Sequence, residues 1–190
     1  MNIDADDFTL LGLPRRFALE RAQLDTAWKA LQAKVHPDRF AAEGGAAQRL
    51  AMQWAVRVNE AHQRLKDPLQ RAAYLCELAG AAVQAHDNTA MPGDFLMQQM
   101  MWREALDEAG NTAEVEALSA EVTAQRRARL ARVGELLDGP AAGADAAQQA
   151  AHQAAQAAQA AQEVRALMFI DRLLEEVDAR LQRYEDEEGA

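Results

Sequence analysis

The chain has 190 residues, with 30 acidic against 20 basic side chains for a formal charge of −10, and is 49% hydrophobic but only 5% aromatic. Its acidic balance repels nucleic-acid phosphates and anionic lipid, so neither is an expected partner. A single cysteine, Cys76, excludes an internal disulfide and any metal site built from several thiolates.

Much of the apolar share is alanine and leucine, which favours packed helices over strands. The opening "MNIDADDF" has neither the basic start and apolar run of an export signal nor the arginine-rich look of an organelle presequence. No segment offers the roughly 20 apolar residues that cross a bilayer, so a cytoplasmic chain without membrane contact is expected.

"DDFTLLGL" reads as a short helix that Pro14 terminates. From about Glu20, Leu24, Trp28, Leu31 and Val35 recur at helical spacing. Pro37 disfavours helical backbone at His36, so the helix should stop there. After Gly44 and Gly45 a second stripe of Leu50, Trp54, Val58, Ala61 and Leu65 predicts a partner helix of similar length. The two should lie antiparallel, their tryptophans burying the most area. "KDP" breaks the pattern, and "LQRAAYLCELAG" makes one more short helix ending at Gly80. Cys76, flanked by Leu75 and Leu78, fits buried packing better than ligation.

Residues 81–93, "AAVQAHDNTAMPG", carry turn formers and mark a domain boundary. Helices are then expected over about 94–109, 112–137 and 146–186, the second capped by Asn111 or Thr112. The tract "AAQQAAHQAAQAAQAAQ" is low in complexity but high in helix propensity, and it reads as the start of the last helix. Leu167, Leu174 and Leu181, with Ile170, Val177 and Tyr184, form a heptad seam suited to an antiparallel bundle. The seam is too short to prefer a coiled-coil dimer, and a monomer is expected. The fold class is all-α: a helical hairpin with short flanking helices over 1–80, a linker over 81–93, and a three-helix bundle over 94–190.

Two features carry function. The first is His36-Pro37-Asp38 at the hairpin tip. A catalytic dyad needs a nucleophile or substrate at the free imidazole nitrogen, and no serine or cysteine lies nearby in sequence. No Walker-type phosphate loop occurs, and the four histidines (His36, His62, His86, His152) offer no i, i+4 metal clamp. No enzymatic activity, metal or cofactor is expected. Alone, the tripeptide is a helix stop. With "DDFTLLGLP" before it and "KDPLQRAAYL" after, it resembles a J-domain, the module that stimulates ATP hydrolysis by DnaK-type chaperones. That resemblance implies that His36, Pro37 and Asp38 contact the chaperone ATPase, while Lys29, Lys34 and Arg39 dock on an acidic surface of it. Val35 stands where the family often has an aromatic, and Glu20 and Asp25 dilute the basic patch.

The second feature is "GDFLMQQMMWREALDEAG". Wound as a helix, it gathers Phe95, Trp102, Ala105, Leu106 and Ala109 on one side. Leu96, Met97, Met100 and Met101 fall nearly opposite, followed by Glu104 and Glu108. A bundle helix needs one apolar stripe to bury; a second points to a partner surface with a charged rim. Phe169 likewise points away from the leucine seam. Together with the tip, "FLMQQMMWREALDE" and "RALMFIDRL" resemble the HscB family of iron–sulfur co-chaperones. The resemblance implies binding of the scaffold protein IscU through Leu96, Met97, Met100, Met101, Glu104, Glu108 and Phe169, and its delivery to the dedicated chaperone HscA. Met101 stands where an acid is usual. A general J-domain co-chaperone would share the tip without this patch, and a plain helical adaptor would make the tip incidental.

Overall fold

Breakers and caps set the helix boundaries, and every regular element among the described residues is helical. The computed structural model describes residues 2–40, 42, 44–83 and 91–188, with side chains as far as Asp186. His86 and most of the expected linker, 84–90, lie outside the described residues. The chain divides into two compact units at Leu75 and Cys76, a division that falls inside the fourth helix.

In the first unit, α1 (Asp7–Leu11) begins where the Asp6 carboxylate accepts a hydrogen bond from the Thr9 amide. Thr9 and Arg15 also donate to that carboxylate. Burial raises the pKa of Asp6, but these three bonds and the Arg15 charge outweigh it and bring the group down to about 2. The helix ends at Gly12 rather than at Pro14. Gly12 adopts φ 67°, and the Leu13 amide closes on the Phe8 carbonyl at 2.8 Å. Only glycine takes that left-handed geometry without steric cost, so the helix stops before the proline is reached.

Helices α2 (Arg21–Val35) and α3 (Gly45–Lys66) form the hairpin. Their cross-links run in opposite senses: Asp25 meets His62, while Trp28 and Gln32 both donate to Asn59, which makes the pair antiparallel. Leu24, Leu31 and Val35 are buried with Ala51, Val58, Ala61 and Leu65. Leu50 departs from the expected stripe and is exposed. The buried face runs through residues 51, 58, 61 and 65, and Leu50 sits about 100° off it. Trp28 and Trp54 are only half-buried, and Leu24, Val58, Ala61 and Leu65 are the hairpin's most deeply buried side chains. Beneath α1 the Asp7 carboxylate is wholly buried, with Arg57 2.7 Å and Arg64 3.0 Å away. Arg57 also donates to the Ile3 and Ala5 carbonyls, tying the N-terminal segment to α3. Helix α4 (Pro68–Leu78) contributes Tyr74, which stacks on Phe8 and accepts from the Asp7 amide.

The second unit is built from α5 (Gly93–Glu108), α6 (Thr112–Asp138) and α7 (Ala146–Glu188). Asn111 caps α6 by accepting from the Glu114 amide. The core joins Phe95, Trp102, Leu106 and Ala109 of the α5 side to Val115, Leu118 and Val122 of α6 and to Ala166, Ile170, Leu173 and Val177 of α7. Ala105 lies at the edge of the α5 stripe and stays exposed. Leu174, Leu181 and Tyr184 of the heptad seam are half-buried, and Leu173 is the deeper residue. Tyr184 donates to the Ala109 carbonyl at 2.8 Å, holding the end of α5. Arg126–Asp171 and Arg129–Glu163 pairs bridge α6 and α7. The Ala/Gln tract is helical, and its Ala157, Ala160 and Ala161 are buried, which extends the seam toward the N-terminus of α7. Among the described residues no helix is long and apolar enough to cross a membrane.

Candidate partner-binding sites

At the hairpin tip, α2 ends because His36 takes an extended backbone (φ −60°, ψ 128°), the geometry that a following proline imposes. Pro37–Phe40 then make one 3₁₀ turn, and the Arg39 amide bonds the His36 carbonyl at 3.1 Å. His36 Nδ1 accepts from the Asp38 amide at 3.3 Å and lies 3.6 Å from an Asp38 carboxylate oxygen. Both side chains stand in solvent, with 56% of His36 and 88% of Asp38 exposed. A proline-fixed turn thus presents an imidazole and a carboxylate outward in a set arrangement.

The three basic residues do not form one cluster. Lys29 and Lys34 are both exposed, but five residues of helix set them about 140° apart around the axis. They flank the outward face of α2 rather than sharing it. Arg39 has a structural task that the sequence did not reveal: its guanidinium donates to the Ala33 carbonyl at 3.1 Å, satisfying the last turn of α2.

Below the tip, His62 Nε2 lies 2.8 Å from Asp25, stacks on Trp28 with ring centroids 4.5 Å apart, and is itself buried. The hydrogen bond with His62, then that with Arg21, hold the Asp25 carboxyl below its usual range. Nothing in the local pattern announces this clasp, because Asp25 and His62 are 37 residues apart. It fixes the two legs of the hairpin and so the position of the tip.

In the second unit, burial of Phe95, Trp102 and Leu106 turns the opposite half of α5 to solvent. Leu96 is 44% exposed, Met97 64%, Met100 71% and Met101 59%; Glu104 and Glu108 on the same half are also exposed. Phe169 of α7 is 37% exposed and lines a shallow cleft with Gln99, Trp102, Arg103, Ile170 and Leu173. The cleft borders the Leu96 and Met100 edge of the α5 surface, so Phe169 continues that surface onto α7. Gln99 and Arg103 are members of this region that the sequence pattern did not single out. The buried Gln99 Nε2 has no hydrogen-bond partner, and Arg103 pairs loosely with Glu176 at 3.3 Å. An apolar field edged by acids suits a protein partner, and methionine side chains adapt to its shape. Among the described residues no group of three or more His, Cys, Asp or Glu is placed to hold a metal ion.

Comparison with known proteins finds relatives over nearly the whole chain. Residues 91–178 match the family model described as the HSCB C-terminal oligomerisation domain. The co-chaperone protein HscB homolog of Burkholderia multivorans is 50% identical over 181 residues, covering 94% of this chain and 95% of the relative. The homolog of Burkholderia thailandensis is 49% identical over 182 residues, with the same coverage of 94% and 95%. Among solved structures, chaperone HscB from Vibrio cholerae is 33% identical with a TM-score of 0.73, over 96% of this chain and 99% of that one. The human co-chaperone protein HscB shares the fold at 23% identity, with a TM-score of 0.77 over 95% and 84% of the two chains.

Proposed function

The chain belongs to the HscB family of co-chaperones, and on that premise we propose that it binds the iron–sulfur scaffold protein IscU and delivers it to the DnaK-type chaperone HscA, stimulating ATP hydrolysis. Residues 1–80 act as the J-domain and 94–190 as the client-binding domain of a cytoplasmic monomer. The reading rests on one observation above the others: α5 carries a second apolar face, Leu96, Met97, Met100 and Met101, that no core residue needs.

The protein works by linkage. The α5 surface and Phe169 hold the scaffold, with Glu104 and Glu108 as a charged rim. Met101 adds apolar area where an acid would add charge, so this interface depends less on ionic strength than a fully acidic one. His36, Pro37 and Asp38 meet the ATP-bound chaperone, and Lys29 and Lys34 meet its acidic surface from both edges of α2. Arg39 supports the turn from behind. Holding both partners at once raises the effective concentration of client at the chaperone. Because J-domain contact favours the hydrolysis-competent state, the effect is set by differential affinity for the chaperone's two states.

The test is steady-state ATP hydrolysis by HscA with this protein and IscU, each alone and together. Synergy supports the proposal. Stimulation indifferent to IscU points to a J-protein for other clients, and no stimulation points to a helical adaptor.

A further inference from the structure

We infer that Met97, Met100 and Met101 form a reversible oxidation site through which peroxide releases the partner held on α5. The inference rests on the reading of that face as the scaffold-binding surface, and it adds a form of control to it.

Three of the chain's seven methionines fall within five residues of sequence. Spacings of three and four place Met97 beside Met100 and Met101 on adjoining turns, and among the described residues these are the three most exposed of the large hydrophobic side chains. Met91 and Met168, by contrast, are half-buried. Thioether oxidation follows access, so a soluble oxidant meets this cluster before Met91 and Met168. Met52 is also exposed, but on α3 of the other unit, and it serves as an internal control.

The chemistry is a two-electron oxygen transfer. A sulfur lone pair attacks one oxygen of the peroxide, the O–O bond breaks, and the leaving oxygen departs with the proton as water or an alcohol. The thioether becomes a sulfoxide and the peroxide is reduced. In the reverse step a thiol reductase removes the oxygen as water while two thiols become a disulfide.

The consequence follows from where these side chains point. Each sulfoxide places a strong hydrogen-bond acceptor in a field that a partner must bury, and an unmatched buried acceptor opposes binding. Glu104 and Glu108 on this half cannot donate when ionised, and the donors Gln99 and Arg103 lie on the cleft side of α5, within reach of Met100 but not of Met97 and Met101. The fold is spared, because Phe95, Trp102 and Leu106 on the opposite side carry the packing.

The experiment treats the full-length chain with hydrogen peroxide. It then follows oxygen addition by peptide mass spectrometry, helicity by circular dichroism, retention on a hydrophobic-interaction column, and IscU affinity by calorimetry. Met97, Met100 and Met101 should gain oxygen before Met91 and Met168. Affinity should fall at least tenfold with helicity unchanged, and methionine sulfoxide reductases of both epimer specificities should restore it. A Met52→Leu chain should lose affinity as the parent does. A chain with Met97→Leu, Met100→Leu and Met101→Leu should keep through peroxide whatever affinity it starts with. Unchanged affinity after the cluster is oxidised overturns the inference, as does an equal loss in the triple variant or a loss that reductase does not reverse. If the untreated chain fails to bind IscU, the functional reading fails separately. Column retention then decides this inference: earlier elution on oxidation of the cluster upholds the site, and unchanged retention removes it.

Discussion

Truncating Met97 and Phe169 together to alanine tests the client surface most directly. Fully burying a methionine or phenylalanine side chain is worth about 1.5–3 kcal/mol. The free chain leaves 64% of Met97 and 37% of Phe169 for a partner to cover. Scaled by those fractions, the two side chains should contribute about 1–2 and about 0.5–1 kcal/mol to binding. Their joint loss, about 2 kcal/mol, corresponds to about 30-fold weaker association. Phe169 also packs in its cleft beside Trp102, Ile170 and Leu173, so some stability is lost as well, and calorimetry belongs well below the variant's unfolding temperature. HscA stimulation measured without IscU should match that of the parent chain, because the hairpin tip is untouched. A loss of affinity below about threefold for the double change would falsify the assignment of this surface, since the area removed would then not be interfacial.

The tip gives the converse: Asp38→Asn should abolish stimulation of HscA while IscU affinity stays within twofold, and a folded variant that loses both removes the division of labour. Asp7→Ala should destabilise the first unit by about 3 kcal/mol in urea titrations, the lower end for a broken buried pair because both arginines reach solvent; a change below about 1 kcal/mol contradicts the buried cluster. Asp6 has a folded pKa of about 2, below its ordinary 3.8, so its contribution is present above about pH 4 and lost as pH falls towards 2. That shift corresponds to about 2 kcal/mol, roughly halved because Arg15 is solvent-exposed. An Asp6→Asn chain should therefore lose about 1 kcal/mol less than the parent between pH 6 and pH 2, and parallel pH profiles would contradict it. Burial pushes the Cys76 thiol up to about 11, so iodoacetamide at pH 8 should label it in urea but scarcely in the native chain; equal rates would place the thiol at the surface.

Helix boundaries were legible wherever a single local cause sets them. Pro37 stops α2 at Val35, Asn111 starts α6, and the observed α5, α6 and α7 begin and end within two residues of expectation. The exposed face of α5 was equally readable, because seven large apolar side chains on one short helix exceed what one stripe can bury. Where two causes compete, the pattern misled. Gly12 ends α1 before Pro14 can, and Leu50 fits the i, i+4 spacing to Trp54 yet lies one residue off the face that Ala51 and Val58 define. What local pattern cannot carry is pairing across the fold. Asp7 with Arg57 and Arg64, Asp25 with His62, and Phe169 with Gln99 and Arg103 span 37 to 70 residues of sequence, and each depends on helices meeting at a particular rotation.

The two candidate surfaces share a design that explains why they can be dissected. Each presents side chains of little structural consequence on a backbone held by other residues. His36 and Asp38 project from a turn fixed by Pro37, by the Arg39 bond to Ala33, and by the Asp25–His62 clasp lower on the hairpin. Met97 and Met100 project from a helix anchored by Phe95, Trp102 and Leu106 and tied at its end by Tyr184. A partner would therefore meet a backbone already in place, and the ordering cost of binding would fall on side-chain rotamers alone. The same layout separates two kinds of substitution. Changes at the exposed positions should alter partner affinity while leaving the fold, whereas changes at Asp25, His62 or Trp102 should act on the support and reach the partner only through displaced geometry. A His62→Ala chain should accordingly weaken HscA stimulation together with hairpin stability, in proportion, whereas Asp38→Asn should weaken stimulation alone. Loss of stimulation in His62→Ala with an unchanged urea midpoint would place His62 in the chaperone contact itself, against its burial beneath Trp28.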